Sequence, residues 1–493
     1  MTVDPSARPT PSRPGTRPGH HAGVEAERVE EGYLHRRQLR TGTAGWLLLA
    51  GLGVSAVISG DYAGWNFGLA EGGFGGLLIA VVLMAVMYTA MVFGLAELGS
   101  ALPTAGGGYT FARRALGPWG GYATGVAVLI EYAIAPAAIA TFIGAYVESL
   151  GLFGITDGWW VYLAAYALFI GIHLMGVGEA LKAMFVVAAI AVLGLVVFLA
   201  GAVPQFDAGN LLDIAPTDAA GASSFLPYGL IGIWAAFPFA IWFFLAVESV
   251  PLAAEEARDP ARSMPRGIVA AMGLLLLLAL LMLVFTPGAA GSAAIAESGN
   301  PPVDALEGSG AGEGITTVVN YAGLFGLVAS FFSIIYAYSR QTFALSRAGY
   351  LPRALSVTNG RKAPVLALLV PGAIGFALSL TGQGAMLLNM AVFGATVSYV
   401  LMMVSHIVLR RREPDLPRPY RTPGGTVTTG VALVLAAAAV VATFLVDVTA
   451  AFWTLAAYVV FLAWFALYSR HHLVASAPEE EFELLAAAEE EVE

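Results

Sequence analysis

Long runs of apolar residues, separated by short polar segments, dominate the hydrophobic pattern along the chain. A membrane-spanning α-helix needs roughly 20 consecutive apolar residues, and the sequence contains twelve runs of about this kind. The runs cover residues 46–70, 74–98, 120–147, 159–177, 183–203, 228–250, 266–287, 316–339, 365–381, 385–408, 427–446 and 450–468. They are rich in Leu, Ala, Val and Gly and lack the alternation of barrel strands, which favours helices over a β-barrel. We therefore predict an all-α membrane protein with twelve transmembrane helices.

The composition is that of a membrane protein and excludes a soluble protein of this size. Hydrophobic residues make up 58% of the 493 residues and charged residues only 12%, whereas soluble domains carry about 25% charged residues. A soluble core stops growing near roughly 250–300 residues, so this much apolar surface needs the lipid bilayer as its solvent. The chain has no cysteine, which excludes disulfides and thiolate metal sites.

Lys and Arg residues are distributed unevenly between the two sides of the predicted bundle. With the N-terminus placed inside, all 24 of them fall in the N-terminal tail or on the inner side of the spans. The outer loops carry acidic residues instead, among them Glu148, Asp207 and Asp304. Because positively charged loops stay in the cytoplasm, we expect a multi-pass protein of the inner (plasma) membrane with both termini cytoplasmic.

Two polar tails flank the predicted membrane domain, residues 41–470. Residues 1–40 are rich in Pro, Arg, Gly and Glu and contain no apolar stretch, which predicts a disordered cytoplasmic tail and not a signal peptide. Residues 471–493 are predicted to form an acidic cytoplasmic tail, because a run of Glu is typical of a solvated chain end.

Two of the predicted helices are interrupted near the middle of the membrane. The first begins as an apolar run, Trp46 to Ser59, and then meets the segment Gly60 to Asn66, which contains two Gly, an Asp and an Asn. The sixth contains Pro238, followed by Glu248 and Pro251. These two helices open two halves of five helices each, and breaks at equivalent places indicate a transporter built from inverted repeats with its site at the midplane. The alternative is that both are kinked structural helices.

Three carboxylates are predicted to lie deep in the membrane: Asp61, Glu131 and Glu248. A carboxylate at the bilayer centre costs on the order of 3 kcal/mol, and helices 1 to 6 offer no deep Lys or Arg to neutralise it. Either an acid is protonated, which supplies a proton-coupling group, or a cationic ligand neutralises it, which makes an ammonium site.

Aromatic residues near the two interruptions are candidates for cation–π contacts with such a ligand. Packing is the more usual role for any one of them, and only the two tryptophans, directly beside the breaks, favour a ligand contact. The candidates are Tyr62, Trp65, Phe239, Trp242 and Phe243.

No enzymatic or ATP-binding motif accompanies these features. The sequence contains no HExxH, no Cys/His cluster, no nucleophile elbow and no Walker A loop. We therefore expect neither an enzyme nor a protein with a cofactor, a resident metal or a nucleic-acid partner. A passive channel favours a symmetric oligomer with fewer helices per chain, which leaves a secondary transporter.

Four motifs resemble those of the amino acid–polyamine–organocation permeases. They are ELGSALPTAGGGYTFARRALGP (Glu97 to Pro118), ARDPARSMPRGI (Ala257 to Ile268), LSRAGYLPRAL (Leu345 to Leu355) and RREPDLPRPYRTP (Arg411 to Pro423). Within that family, the segments Val57 to Gly73 and Leu129 to Leu150 are most similar to ethanolamine permeases. The resemblance covers roughly residues 40–470. It implies two inverted five-helix repeats followed by helices 11 and 12, alternating access, and a site between helices 1, 3, 6, 8 and 10.

The segment Gly64, Trp65 and Asn66 departs from the pattern of that family. Its amino acid carriers usually hold the substrate carboxylate on small residues at this point, and a bulky Trp would keep the backbone amides from wrapping a carboxylate. The difference favours a substrate with an amine and no carboxylate, such as ethanolamine. Its ammonium would bind Asp61, Glu131 or both, and its hydroxyl would lie near Asn66.

The same resemblance implies roles for residues of the sixth helix. Trp242 matches an aromatic residue that gates the site in relatives of the arginine/agmatine type, and Glu248 matches an acid implicated in their proton sensing. Some members carry a Lys inside helix 5 near the coupling ion, but the matching stretch here, Ala188 to Leu199, has no charge. Ser330 and Ser333 are candidate sodium ligands, although Ser on a membrane helix is more often a packing residue.

These residues leave the coupling ion open between a proton and sodium. They favour an importer of ethanolamine or a similar small primary amine. The alternatives are an amino acid permease of the same superfamily and, from another class, a transporter-like sensor that binds amine without moving it.

Overall fold

Helices account for nearly all the regular structure in the computed structural model of the chain. The structure describes Val24, Tyr33 and residues 44–104, 106–151, 154, 158–176 and 178–474. Within these residues, strand-like pairing is limited to two single bridges, Ala44 with Ala257 and Thr358 with Pro364. The predicted all-α class is therefore confirmed for the described chain.

The α-helices follow one another through the whole described chain. In chain order they are α1 (Trp46–Val57), α2 (Ser59–Tyr62), α3 (Phe67–Ala101), α4 (Gly108–Ser149), α5 (Gly158–Leu174), α6 (Gly178–Ala202), α7 (Gly229–Ala235), α8 (Phe237–Trp242), α9 (Pro260–Ala290), α10 (Ser292–Ile295), α11 (Pro301–Gly308), α12 (Glu313–Arg347), α13 (Val365–Ser379), α14 (Gly384–Arg412), α15 (Thr426–Val446) and α16 (Val448–Leu467).

The apolar segments of this helical chain correspond to the predicted runs. Among the described residues, nine helical segments are long and apolar enough to cross a membrane, and three shorter apolar segments, Trp46–Tyr62, α5 and α13, accompany them. Each of the twelve predicted runs overlaps one of these segments. Length and hydropathy alone do not fix how many segments cross the bilayer, so the count of twelve and the inverted repeats stay predictions.

Two of the long helices contain a sharp turn at a glycine with left-handed backbone. Gly73 interrupts α3 with a φ of 65°, and Gly117 interrupts α4 with a φ of 78°. The turn at Gly73 separates the end of the first apolar run from the second run. The turn at Gly117 separates residues 108–116 from the long buried part of α4. Glycine adopts this conformation readily, because it has no Cβ to meet the neighbouring carbonyl.

Helix α4 lies at the centre of the bundle. In its most apolar stretch 94% of the residues are buried, whereas the corresponding share is 33% in α15 and 22% in Val448–His471, which contains α16. Helix α4 packs against α14, α12 and α13. The last two long helices therefore lie at the periphery, and Glu131, near the middle of α4, is kept away from lipid.

The basic residues collect at one end of the bundle, which we call the basic end. Ion pairs between arginine and glutamate join the helix ends there: Arg114–Glu413, Arg340–Glu256, Arg347–Glu255 and Arg410–Glu97. Helix α9 begins at this end and finishes at the opposite one, where Asp207 and Asp213 contact the chain around Gly288 and Ala293. This separation of charge matches the sequence pattern, while the assignment of the basic end to the cytoplasm stays a prediction.

Most of the two predicted tails lies outside the described residues, so their disorder and location stay predictions. Tyr33, within the predicted N-terminal tail, is buried, and its hydroxyl donates to the Arg347 carbonyl at 2.9 Å. At the other end Leu473 is buried, and the amide of Val474 donates to the Ala348 carbonyl at 3.1 Å. The packed domain therefore continues past the predicted boundary at residue 470.

Replacing Gly73 by Ala is expected to destabilise the protein. A Cβ at this position would lie 2.3 Å from Cγ of Pro227, and left-handed backbone costs a residue with a side chain roughly 1–2 kcal/mol. We expect a lower midpoint of thermal unfolding in detergent. The matched control is Gly273→Ala in α9, where the space around the new Cβ is open and Ala favours the helix. Equal midpoints for the two variants would contradict the turn assigned to Gly73.

Candidate functional site

The first apolar run breaks just after Tyr62. Helices α1 and α2 carry the chain to this residue, after which Ala63 is extended and Gly64 has a left-handed φ of 96°. Helical structure resumes at Phe67. The break therefore covers residues 63–66 and begins later than the start predicted at Gly60.

The later start has a physical reason in the packing of Gly60. A Cβ there would lie 2.6 Å from the carbonyl oxygen of Trp242, so glycine is needed for the close approach of two backbones and not for unwinding. Asp61 consequently lies in the last helical turn before the break, next to the glycine at which the first and sixth spans meet.

The sixth apolar run breaks between α8 and the 3₁₀-helix Val247–Glu256. Within this break Ala246 has a left-handed φ of 76°, which is uncommon for a residue with a side chain. Trp242 joins the two breaks, because its Nε1 donates to the Ala63 carbonyl at 2.9 Å. Glu248 lies in the first turn of the 3₁₀-helix, just past the break.

Asp61 is fully buried, and neither of its carboxylate oxygens has a hydrogen-bond partner within the described chain. Its neighbour Tyr62 is held on two sides. The Tyr62 hydroxyl donates to the Ala191 carbonyl at 2.6 Å, and the Tyr62 carbonyl accepts from the Tyr146 hydroxyl at 3.1 Å. The turn is thus fixed by α6 and α4 while the Asp61 carboxylate is left uncompensated. A buried charge in this position has to be neutralised by a proton or a ligand.

Glu131 in α4 is also fully buried, and the only side chain within hydrogen-bonding reach of its carboxyl among the described residues is another acid, Glu248. A hydrogen bond between two carboxyl groups requires a proton on one of them. Both oxygens of Glu248 accept hydrogen bonds, from the Tyr132 hydroxyl at 3.0 Å and from the Tyr399 hydroxyl at 3.2 Å. Two neighbouring acids repel each other when both are ionised. A small cation or a shared proton would relieve that repulsion.

The tyrosines around Glu248 were not among the candidates from the sequence. Tyr88 adds a third hydroxyl to this group, 3.0 Å from that of Tyr399. Nothing in the sequence around these three residues distinguishes them from the other tyrosines of the chain, which contains 18 in all. Only folding brings α3, α4 and α14 together at Glu248, helped by Gly394, where a Cβ would lie 3.1 Å from the backbone nitrogen of Glu131.

Aromatic side chains form two groups beside the breaks. Trp65 stacks on Phe243 with ring centroids 5.1 Å apart, and its Nε1 has no hydrogen-bond partner in the described chain. The second group consists of Phe67, Phe142, Phe239 and Trp242, with ring centroids 6.2–6.3 Å apart. Ring packing accounts for this second group, whereas the buried indole N–H of Trp65 remains a donor for a ligand.

Asn66 is occupied by the protein's own backbone. Its Oδ1 accepts from the Gly64 amide at 3.1 Å, and its Nδ2 donates to the carbonyls of Ile295 and Ser298 at 2.8 and 2.9 Å. These bonds tie the first break to α10 and the loop after it. The amide of Gly64 is therefore already used within the protein.

Ser330 and Ser333, the candidate sodium ligands, hold α12 against α1. The hydroxyl oxygens of Ser333 and Ser55 lie 2.6 Å apart, and Ser330 Oγ accepts from the Ser59 amide at 2.9 Å and donates to the Ser55 carbonyl at 2.8 Å. These contacts are typical of helix packing, and sodium ligation stays a prediction. In the part of the chain that the structure describes, no group of three or more His, Cys, Asp or Glu could hold a metal ion.

Comparison with protein families decides the class of this molecule. The family described as "Amino acid permease" matches residues 46–481, which is most of the chain and includes both breaks. The chain belongs to the amino acid permease family. This permease is therefore a multi-pass membrane transporter of the amino acid–polyamine–organocation superfamily and not an enzyme.

Individual relatives of the permease are transporters whose names differ in substrate. An uncharacterized transporter of Rhizobium meliloti (strain 1021) is 30% identical over 404 residues, which is 80% of this chain and 85% of the relative. The branched-chain amino acid permease BcaP of Bacillus subtilis (strain 168) is 25% identical over 402 residues, 78% of this chain and 84% of the relative. The methylthioribose transporter of the same organism is 25% identical over 396 residues, 76% and 82% of the two chains. Family membership thus establishes a transporter without fixing its substrate.

Replacing Trp242 by Phe in this permease removes the hydrogen bond between the two breaks while keeping a ring in the aromatic group. A hydrogen bond contributes roughly 0.5–1.5 kcal/mol, and leaving the buried Ala63 carbonyl unpaired adds to the loss. We expect a lower midpoint of thermal unfolding in detergent. Trp453→Phe, at an exposed position on α16, is the control and should leave the midpoint unchanged. A Trp242→Phe midpoint equal to that of the control would show that the breaks do not depend on this bond.

Proposed function

We propose that this permease is a secondary active transporter that imports ethanolamine or a similar small primary amine by alternating access. In this proposal the chain crosses the inner (plasma) membrane twelve times, with two inverted five-helix repeats, two further helices and both termini in the cytoplasm. The ammonium group of the substrate binds Asp61, Glu131 or both. The residues that shape the site around it are Tyr62, Gly64, Trp65, Asn66, Phe239 and Trp242.

The observation that carries the proposal is that two buried carboxylates have no cationic partner in the described chain. Asp61 has no hydrogen-bond partner there, and Glu131 has only another acid, Glu248, beside it. The buried Arg340 does not serve them, since it is paired with Glu256 at the basic end. A protonated primary amine carries a positive charge and three N–H donors. It therefore supplies both the charge and the hydrogen bonds that the two acids lack.

The first break supports a substrate without a carboxylate. A carboxylate needs positive charge or free backbone amides, as at the N-terminus of a helix. The Gly64 amide already donates to Asn66, and the Trp65 ring lies against Phe243 beside it. A second negative group near Asp61 would add like-charge repulsion.

An amino acid permease is the second candidate, and the family match and the B. subtilis BcaP relative favour it. The ammonium of an amino acid would use Asp61 or Glu131 in the same way. Its carboxylate would need a separate donor, for which the buried Nε1 of Trp65, unpartnered in the described chain, is available. A sensor that binds amine without flux would share this site.

We assign Glu248 to coupling or gating and not to the substrate. Both of its oxygens are bound by tyrosine hydroxyls, which leaves it fewer free positions for an ammonium than Glu131 has. It also follows Ala246, whose left-handed backbone ends the second break. A change of charge at the Glu131–Glu248 pair therefore acts close to the part of the helix that has to move. Coupling to a proton or to sodium is compatible with this assignment.

Uptake of labelled ethanolamine into proteoliposomes tests the proposal. We expect small primary amines to inhibit uptake and amino acids to leave it unchanged. Asp61→Asn and Glu131→Gln remove the negative charge at nearly constant shape. Because a hydrogen bond to a charged group contributes roughly 1.5–3 kcal/mol, loss of an anchoring carboxylate should lower uptake at subsaturating substrate at least about tenfold.

The matched control is Asp218→Asn, which removes an exposed acid in the segment before α7 and should leave uptake unchanged. Inhibition by amino acids would identify an amino acid permease. Unchanged uptake in both buried-acid variants would exclude the carboxylate-anchored site. Saturable binding without flux would identify the sensor.

A further inference from the structure

A groove opens at the basic end of the bundle, between the start of α1, the first turns of α9 and the loop after α14. Its volume is about 610 Å³. Its lining consists of Trp46, Pro265, Arg266, Val269, Ala270 and Tyr420. The groove shares no residue with the proposed substrate site, so it is a separate candidate binding site.

The wall of the groove has two chemical zones. Trp46, which keeps 45% of its surface exposed, and Tyr420 line its polar part. Val269 and Ala270 follow along α9 and are at least partly exposed. Tryptophan and tyrosine collect at membrane–water interfaces, because each ring has an apolar body and a polar group. We therefore expect the groove to run from the level of the headgroups toward the hydrocarbon.

One arginine lines the polar part of the groove, and a second lies one helical turn away. Arg266 lines it, and Arg262 lies one helical turn earlier on the same face of α9. The Arg262 side chain is 78% exposed, and its ion pair with Asp259 is long, at 4.0 Å; an exposed pair of this kind contributes little. Arg266 is exposed and has no hydrogen bond or ion pair with the described part of the chain. The Arg266 guanidinium is thus free to bind an anion, and that of Arg262 has only the weak ion pair with Asp259 to give up.

Tyr420 adds a neutral donor to these charges. Partial burial raises the pKa of its phenol, so the hydroxyl stays protonated at neutral pH and can donate a hydrogen bond. Arg266, a phenol and an indole therefore line one opening, Arg262 lies one helical turn before Arg266, and Val269 and Ala270 add apolar wall.

We propose that this groove binds an anionic phospholipid, with the phosphate on Arg262 and Arg266 and an acyl chain along Val269 and Ala270. The charge at its opening is complementary to such a headgroup, and basic pockets between helices at a membrane surface bind anionic lipids for this reason. A zwitterionic lipid binds less tightly, because it carries an ammonium group that the arginines repel.

The lipid occupies the seam between α1 and α9. Gly267 lets the two helices approach, since a Cβ there would lie 3.2 Å from the Trp46 carbonyl oxygen. A lipid that bridges Trp46 and Arg266 holds α1 against α9. Its presence should therefore raise the midpoint of thermal unfolding.

Nanodiscs of phosphatidylcholine, with and without phosphatidylglycerol, test this proposal on the full-length protein. Each arginine near an anionic lipid surface increases the affinity for that surface about fivefold. We therefore expect Arg262→Gln combined with Arg266→Gln to weaken phosphatidylglycerol retention roughly 25-fold, measured by native mass spectrometry of the released protein. Phosphatidylglycerol should raise the unfolding midpoint of the wild type and not that of the double variant.

Arg361→Gln is the matched control, because it removes an exposed arginine next to α5, away from α1 and α9; it should retain lipid like the wild type. Arg266→Lys keeps the charge and should retain most of the lipid, which separates loss of binding from misfolding. Equal retention by the wild type and the double variant overturns the proposal. So does an equal loss in Arg361→Gln, which would indicate general surface charge, or equal stabilisation by free glycerol phosphate, which would indicate a soluble anion.

Discussion

A carboxylate buried within a membrane protein has to be neutralised, because neither lipid nor the helix backbone replaces its hydration. At the basic end the permease meets this requirement with its own arginines, which pair with Glu97 and Glu256. At Asp61 and Glu131 the described chain provides no such partner. The contrast distinguishes acids that hold helices together through ion pairs from the two acids that we propose bind a substrate or a proton.

The contact between the two broken helices keeps these acids in place. Gly60 lets the first helix approach the Trp242 carbonyl, and the Trp242 indole donates in return to Ala63. Asp61 lies within this contact, between Gly60 and Ala63, and Glu248 follows Trp242 in the sixth run. We therefore expect the two broken helices to move together in the proposed alternating access.

The apolar runs predicted the positions of the helices because each run is long and carries few charges. The sequence was less informative about the breaks. The predicted first break began too early, at Gly60, because a glycine can either unwind a helix or let two backbones pack closely. The contact with Trp242 in the folded protein shows that Gly60 has the second role. The second break, around Ala246, lies close to Glu248 and Pro251, two of the residues from which it was predicted, whereas the third, Pro238, lies inside α8.

The candidate acids were visible in the sequence, but their surroundings were not. A charged residue in an apolar run is conspicuous, which is why Asp61, Glu131 and Glu248 were identified without a structure. Tyr132 and Tyr399, which bind Glu248, lie on helices far apart in the chain, and pairings of this kind depend on tertiary packing. The same holds for Asn66, whose bonds to the loop after α10 have no signal along the sequence.

We propose that the ammonium group of the substrate supplies the positive charge and the hydrogen bonds that the buried carboxylates of Asp61 and Glu131 lack. The most direct measurement is a cryo-EM structure of the permease in nanodiscs with ethanolamine bound. We expect the substrate nitrogen within hydrogen-bond distance, about 3 Å, of a carboxylate oxygen of Asp61 or Glu131. Ethanolamine bound elsewhere, with both acids paired only to protein groups, would contradict the claim.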